Sequence, residues 1–434
     1  MLIIKVLCKK LHNIFLMSLT QMYVVIIIIL VVFMQDNIIM HIDVNNAFLS
    51  WTAVYLLKCG SKEDIRYQEA VIGGDEKSRH GIVLAKSMVA KSRGVKSAET
   101  LREAKRKCND LHIYPPYYKL YKYMSDKLFQ LISSYIPDIE ILSIDECFAD
   151  YGKVKNLYGN EVKFAYKLKR EIKEKLGFTV NIGIANNKLC AKMASDFIKP
   201  DRVHTLYNYE IEEKMYPLPV EKLFGVGKKT AIKLRDLNIN TIEDLANSDI
   251  NYLKKYFKNQ AGKLIDSAKG ISDSIITLKN RDTSISNSTT LSYNIKNLDD
   301  MYPVIQSLVD RACITLRKKD KYAGVVGITL KDRFFKTKSH QKKLSNVTND
   351  TNIIYNEIKK LAIELYNDES IRLVGVSLSK LTDTSNYQIS LFEDIDNKSK
   401  DDNLNKIIDS LKSTYGSKII NSASLINVKK HKKD

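Results

Sequence analysis

The chain has 434 residues, 44% of them hydrophobic and 27% charged, a globular composition that excludes a disordered chain. At roughly 100–200 residues per domain the length predicts two to four domains. Lys and Arg number 69 against 50 acids, a net charge of +19 that points to a polyanionic partner such as nucleic acid or an anionic membrane.

Residues 1–35 differ from the rest. "MYVVIIIILVVFM" (22–34) is apolar and follows Lys5, Lys9 and Lys10. It is shorter than the ~20 residues of a spanning helix. It lacks the small-residue cleavage site of a signal peptide. Met34 opens "MQDNIIMHIDV", a natural start for the first folded strand, so 1–33 reads as a start-site extension or leader. Any membrane association would run through residues 1–35 alone. The six cysteines (Cys8, Cys59, Cys108, Cys147, Cys190, Cys313) form no CxxC pair, which excludes zinc-ribbon and redox spacing. Free thiols in a reducing cytoplasm follow.

"NIIMHIDVNN" (37–46) predicts a strand ending at Asp43, and "NAFLSWTAVYLLKCG" a helix stopped by Gly60. Strand, Gly-rich turn and strand follow over 69–87, then helices over 99–110 and 118–137. "EILSIDECFADYG" (140–152) sets Asp145 and Glu146 inside an apolar run. Side chains alternate along a strand, so both acids reach one site only if the chain turns there, with "EILS" and "CFAD" as hairpin arms. On their own the two acids read equally as an exposed hairpin tip. A helix over 160–177, a strand over 179–185 and a helix over 186–200 complete an α+β layer.

From 207 the pattern is all-helical, with two helices around "GVGKK" (225–229). "SDSIITLKNRDTS" (272–284) reads as a linker. Over 286–383, strand runs alternate with helices at 299–319 and 352–367. If "LKDRFFKTK" (330–338) stays a strand, Lys331, Arg333 and Phe335 share one side, and Arg311, Arg317, Lys318 and Lys319 add to a basic surface. The polar end after 384 holds one apolar island around "QISLF" (388–392).

"HIDVNNAF", "SIDE" and "GIANNKLCAKMASDFIKPD", with "LFGVGKKTAIKLRDLNINTIEDL" after them, stand in an order that resembles the Y-family (translesion) DNA polymerases over about residues 37–385. The DinB-like and UmuC-like bacterial branches are both close. The resemblance implies a multi-domain, right-hand α+β fold. Its parts would be a ferredoxin-like palm (36–47 and 114–206), small fingers (48–113) and a helix-hairpin-helix thumb (207–275). A linker (276–285), an α/β little finger (286–385) and a polar tail (386–434) would follow. It implies low-fidelity, template-directed addition of deoxynucleotides to a primer, in DNA repair and damage tolerance, by a monomeric cytoplasmic protein.

Residue by residue, the resemblance implies that Asp43, Asp145 and Glu146, with the carbonyl of Val44, hold two Mg²⁺ ions, for which oxygen ligands are suited. Phe48 matches a steric gate against the ribose 2′-OH. Lys188 and Lys91 match triphosphate contacts, although Met88 stands where the family often has a tyrosine and cannot donate a hydrogen bond. Gly225, Gly227, Lys228 and Lys229 in the thumb, with Lys331 and Arg333 in the little finger, would grip primer-template DNA through its phosphates. Gln388, Leu391 and Phe392 resemble the peptide by which bacterial polymerases dock on the sliding clamp (beta subunit). Two rival readings are a non-catalytic DNA- or clamp-binding relative and, from "IGGDEK" (72–77), a cyclic-dinucleotide synthase. The three acids count against the first; Lys77 in place of phenylalanine, with the thumb and little-finger segments, counts against the second.

Overall fold

The computed structural model describes residues 37–75, 81–272, 275–277, 283–383, 407–412, 414–416 and 419–420. Residues 1–36 and the 388–392 peptide lie outside these. The chain divides into two compact units, one taking in residues up to 74 and 82–279, the other 75–81 and the residues from 280.

In the first unit, β1 (Ile39–Val44) leads into α1 (Ala47–Lys58), followed by β2 (Ala70–Gly73), β3 (Val83–Lys86), α2 (Met88–Ser92), α3 (Leu101–Lys107) and β4 (His112–Tyr114). Then come α4 (Tyr118–Ser133), the hairpin β5 (Ile139–Ile141) and β6 (Glu146–Asp150), α5 (Glu161–Leu176), β7 (Val180–Ala185), α6 (Lys188–Asp196) and β8 (Val203–Leu206). The main sheet runs β5-β6-β1-β7-β8 and a small one β3-β2-β4. The main sheet is antiparallel but for the β7–β8 pair.

Both central strands, IMHIDV and VNIGIA, are buried at every position, so helices must cover both faces of the sheet. Met40, Ile42 and Val44 join one core with Leu128 and Ile132 of α4 and Phe164, Leu168 and Ile172 of α5. That helical spacing follows the amphipathic period. Asn160 caps α5 and Gly177, at φ +83°, ends it. Ile39 and Phe148 point to the other face, into a core with Leu189, Ala191 and Ala194 of α6. There Gly183 is obligatory, since a Cβ would stand 2.0 Å from the carbonyl oxygen of Ala191.

The same core continues into α7 (Lys228–Arg235), α8 (Ile242–Ala246), α9 (Ile250–Phe257) and α10 (Gln260–Ala268). The expectation of two helices around "GVGKK" is corrected here. From residue 220 up to it stands one 3₁₀ turn, Val220–Lys222, and at Gly225, φ +94°, the chain changes direction. Lys228 and Lys229 are the first residues of α7. Two helices are also shorter than expected. α4 stops at Ser133 rather than near Pro137, and α6 runs Lys188–Asp196 rather than 186–200. The Asn187 side chain caps α6 on Cys190 N, which sets its start. Pro137 and Pro200 lie beyond these ends, where neither could continue a helix. The short strands β4 and β8 were not expected.

The second unit holds β9 (Ser284–Ile295), α11 (Leu298–Lys318), β10 (Tyr322–Asp332), β11 (Thr337–Thr348), α12 (Thr351–Leu365) and β12 (Ile371–Thr382). Its antiparallel sheet runs β11-β10-β12-β9. Val326, Ile328, Leu330, Val374, Val376 and Leu378 pack with Ile305, Leu308 and Ala312 of α11 and Ile354, Ile358 and Leu361 of α12. Two readings are corrected. The run 330–338 is not one strand: Asp332 accepts hydrogen bonds from the N–H groups of Phe334 and Lys336, and Phe335 takes φ +66°, so the chain turns. β11 was missed because an edge strand rich in lysine, TKSHQKKLSNVT, has no apolar alternation to betray it. Among the described residues no helix is long and apolar enough to cross a membrane.

Candidate active site and a second, open face

The acids gather where β1 and β6 meet. Asp43 lies opposite Glu146 in the antiparallel register. The hairpin turns over residues 142–145: the N–H groups of Leu142 and Ser143 both donate to the carbonyl of Glu146, at 3.1 and 3.2 Å. The strand therefore begins only at Glu146, and Asp145 is released from its alternation. The Asp145 carbonyl accepts the N–H of Val44 at 3.0 Å, tying the turn to the end of β1.

Odd positions of β1 and even positions of β6 face α6, so the acids meet its lysines. Lys192 Nζ stands 2.5 Å from Glu146 Oε2 and 3.5 Å from Asp43 Oδ2. Lys199 Nζ lies 2.6 Å from Asp43 Oδ2 and 2.7 Å from Asp196 Oδ1. His41 is fully buried, its Nε2 3.2 Å from Glu146 Oε2 and its Nδ1 2.8 Å from Ser195 Oγ. The His41 imidazole and the Lys192 ammonium hold the Glu146 carboxyl down at about 2. Burial alone would lower both lysines, but the carboxylates around them outweigh it and raise them. Asp145 moves the other way. Burial pushes its carboxyl up, the charges of Asp43 and Glu146 add to the rise, and the Ser143 hydroxyl at 2.5 Å opposes it.

Among the described residues no three carboxylate, imidazole or thiol side chains already converge as a metal cluster. The donor chemistry nevertheless suits a hard divalent cation. Asp43 and Glu146 face each other at the sheet end with Asp145 in the adjoining turn, and their charges add to the rise that burial gives the Asp145 carboxyl.

Lys188 and Lys192 do share a face, but Lys188 Nζ bonds Glu140 Oε2 at 3.1 Å, which also accepts the N–H of Thr277 at 2.8 Å. The ammonium groups at the acids are those of Lys192 and Lys199. Lys199 was not singled out from the sequence. Its signal is the i, i+4, i+7 spacing of Lys192, Asp196 and Lys199, although the helix has ended before the last of them.

Asn46, between β1 and α1, adopts φ +52° and donates from Nδ2 to the carbonyl of Lys86 at 2.6 Å. This links the strand end to the small sheet. Lys91 and Met88 are both exposed on α2. The Lys86 ammonium, bonded to Ser97 Oγ at 2.8 Å, is lowered by burial and then by the charge of Lys91. Phe48, half-buried on α1, stacks on Tyr121 with ring centroids 4.7 Å apart.

In the second unit the face of the sheet away from the helices is open. Lys331 lies opposite Thr337, and Thr329 opposite Ser339. Across the sheet, Gly375 faces Ser288 and Ser377 faces Ser286. By alternation these positions share the face turned from the apolar core, a lawn of hydroxyl groups and glycines with Lys331 and Lys343 toward one edge. Its signal in the sequence is the period-two serine and threonine of "SISNSTT" and "GVSLS". Arg333 sits in the exposed turn, its guanidinium 4.5 Å from the Phe334 ring centroid. Arg317 leaves the expected basic surface: it is largely buried and forks onto Asp409 at 2.6 and 2.9 Å. In the first unit, Lys228 and Lys229 are exposed at the start of α7, whose N-cap Gly227 offers no side-chain acceptor.

Comparison with known proteins places this geometry in context. The model of the impB/mucB/samB family matches residues 42–196, and the model of that family's C-terminal domain matches residues 282–391. The IMS family HHH motif matches residues 210–239. DNA polymerase IV of Clostridium acetobutylicum is 42% identical over 394 residues, covering 90% of this chain and 99% of that protein. DNA polymerase IV of Alkaliphilus oremlandii is 34% identical over 372 residues, covering 82% and 92%. Among solved structures, a Y-family DNA polymerase chimera built on Dbh superposes with a TM-score of 0.70 at 22% identity, over 80% of this chain and all of that one. An insertion ternary complex of Dbh DNA polymerase gives a TM-score of 0.58, again at 22% identity.

Proposed function

The chain belongs to the Y family of DNA polymerases, and from that premise we propose that it is a DNA-directed DNA polymerase of the translesion type, extending primers across damaged template with low fidelity in DNA repair. The observation that carries this reading is Asp43 opposite Glu146 at one end of a buried sheet, with Asp145 in the turn tied to Val44 and Lys192 and Lys199 against the two strand acids. The sheet of β1 and β5–β8 with its helices is the palm, 48–113 the fingers, 207–275 the thumb and 286–385 the little finger. A link over 276–285 and a tail over 386–434 complete the chain.

Asp43, Asp145, Glu146 and the carbonyl of Val44 would hold two Mg²⁺ ions, which when bound stabilise the attacking 3′-oxygen and the leaving pyrophosphate. The protein's own groups do the rest. Lys199, the more exposed of the two lysines at the acids, exchanges Asp43 for the incoming triphosphate, and Lys91 with Lys86 adds positive charge from the fingers. Lys192 stays with Glu146 and keeps that carboxylate ionised and in place. Lys188, braced by Glu140, serves the hairpin that carries the acids. Phe48 closes the sugar pocket by shape, so a ribose 2′-OH has no room.

The +19 charge attracts the duplex. The start of α7, with Gly225, Gly227, Lys228 and Lys229, offers free backbone N–H groups and two ammonium groups to phosphate. In the little finger, hydroxyl groups suit phosphate oxygens along the open face, with Lys331, Lys343 and Arg333 at its margin. Gln388, Leu391 and Phe392, a few residues past β12, would dock on the sliding clamp. The protein acts as a monomer in the cytoplasm; the five cysteines among the described residues are all free thiols, as a reducing compartment allows.

The test is primer extension with Mg²⁺ on intact and damaged templates. Wild type is expected to extend both, and Asp145→Ala to lose at least about a thousandfold in rate, the several kcal/mol that placed metal charge supplies. No extension by wild type, or full extension by Asp145→Ala, would overturn the reading.

A further inference from the structure

The side chain that excludes a 2′-hydroxyl must not yield when pressed, and a half-buried aromatic ring on the first turn of a helix has room to swing unless something stands behind it. Behind Phe48 stands Tyr121. The rings lie nearly parallel, 21° apart with centroids at 4.7 Å, and Tyr121 is fully buried on α4, a helix of the palm core. Trp51 flanks both rings, 6.2 Å from Phe48 and 6.0 Å from Tyr121, and is itself buried against Phe178. Tyr121 therefore cannot retreat.

The backbone of Phe48 is held as well. Thr52 Oγ1 donates its one hydrogen to the Phe48 carbonyl at 2.7 Å. The Tyr121 hydroxyl lies 3.1 Å from the same Oγ1 and so must be the donor of that contact. One tyrosine thus touches the gate twice, through its ring on the ring of Phe48 and through Thr52 on its carbonyl.

We propose that Tyr121, with Thr52, is a positioning pair that turns Phe48 from a movable aromatic into a rigid barrier against ribonucleotides. The inference rests on the reading of Phe48 as the sugar gate. Tyr121 touches no substrate; it acts by denying Phe48 the space into which a 2′-hydroxyl would push it. Removing the ring behind Phe48 opens that space and lets ribonucleotides in. Removing only the hydroxyl keeps the wall and loosens the leash.

The experiment measures kcat/KM for a deoxynucleotide and its matching ribonucleotide in single-nucleotide primer extension, and takes their ratio. A general loss of folding lowers both terms and leaves the ratio alone. Tyr121→Leu is expected to raise relative ribonucleotide use roughly threefold to tenfold, the scale of one lost aromatic stacking contact. Tyr121→Met, which refills the volume without a flat wall, shifts it the same way. Tyr121→Phe and the isosteric Thr52→Val, which cut only the hydroxyl relay, shift it less. Phe48→Ala is the reference and is expected to lose discrimination most. If Phe48→Ala admits ribonucleotides while Tyr121→Leu and Tyr121→Met discriminate as wild type does, the backstop is overturned and the gate stands. If Phe48→Ala still discriminates, the gate itself is overturned, and the inference with it.

Discussion

The two large sheets of this chain are both antiparallel over most of their pairings, yet they do opposite work. In the first, β1 and β7 are buried on both faces, and the acids stand where β1 ends and β6 begins. There Glu146 is matched at close range by Lys192 and Asp43 by Lys199. In the second, helices cover one face only, and the other carries serine, threonine, glycine and lysine in alternation. A site built from buried charge depends on ångström-scale placement, because low dielectric makes each mispairing costly. An open face working through many phosphate contacts depends on their number, and each one contributes little.

The sharpest way to break that contrast is to place the same small change in both sheets. Gly183→Ala puts a Cβ 2.0 Å from Ala191 O and 2.5 Å from Ser195 N, both backbone atoms of α6. It is expected to cost about 3 kcal/mol or more in chemical denaturation. Gly375→Ala on the open face meets nothing closer than the Ser288 Cβ at 3.2 Å. It is expected to cost under about 1 kcal/mol. Equal losses would show that the second sheet is as tightly enclosed as the first.

Next in size is the exchange of lysines. Lys199→Ala is expected to reduce kcat/KM for nucleotide roughly tenfold to hundredfold, as loss of a charge-assisted contact does. Lys188→Ala, which removes a partner of Glu140, is expected to change it about threefold or less. The reverse order would restore the triphosphate role to Lys188. Smaller again is the effect of charge on the open face. Lys331→Ala and Lys343→Ala should each lower the slope of log affinity against log salt by about one unit, uniformly over DNA sequences. A sequence-dependent loss, or no change of slope, would remove phosphate contact as the work of this face. Least of all on the isolated enzyme is Phe392→Ala: activity without the clamp should be unchanged and stimulation by the clamp lost. A drop in unaided activity would refute a docking peptide.

Much of the fold was legible in the sequence because its signals are local. Helical spacing in "YKLYKYMSDKLFQLI" marks the buried stripe of α4, and Asn160 with Gly177 frames α5. The acids were legible through their order along the chain, and the need for a turn at Asp145 followed from strand alternation. β11 was not legible, since an edge strand satisfies water on one side and needs no apolar pattern.

Residue types are the sequence's contribution: three carboxylates on short apolar runs, a phenylalanine after the first of them, a surplus of lysine. Tertiary structure alone decided their partners. Lys188 and Lys199 are equally basic in the sequence, but the sheet sets Glu140 under one and Asp43 under the other. Tyr121 is one of five tyrosines between Tyr114 and Tyr123, and only the packing of α4 against α1 lays it behind Phe48. Local patterns write the elements, whereas a site depends on distances between elements far apart in the chain, and those exist only once the core has closed.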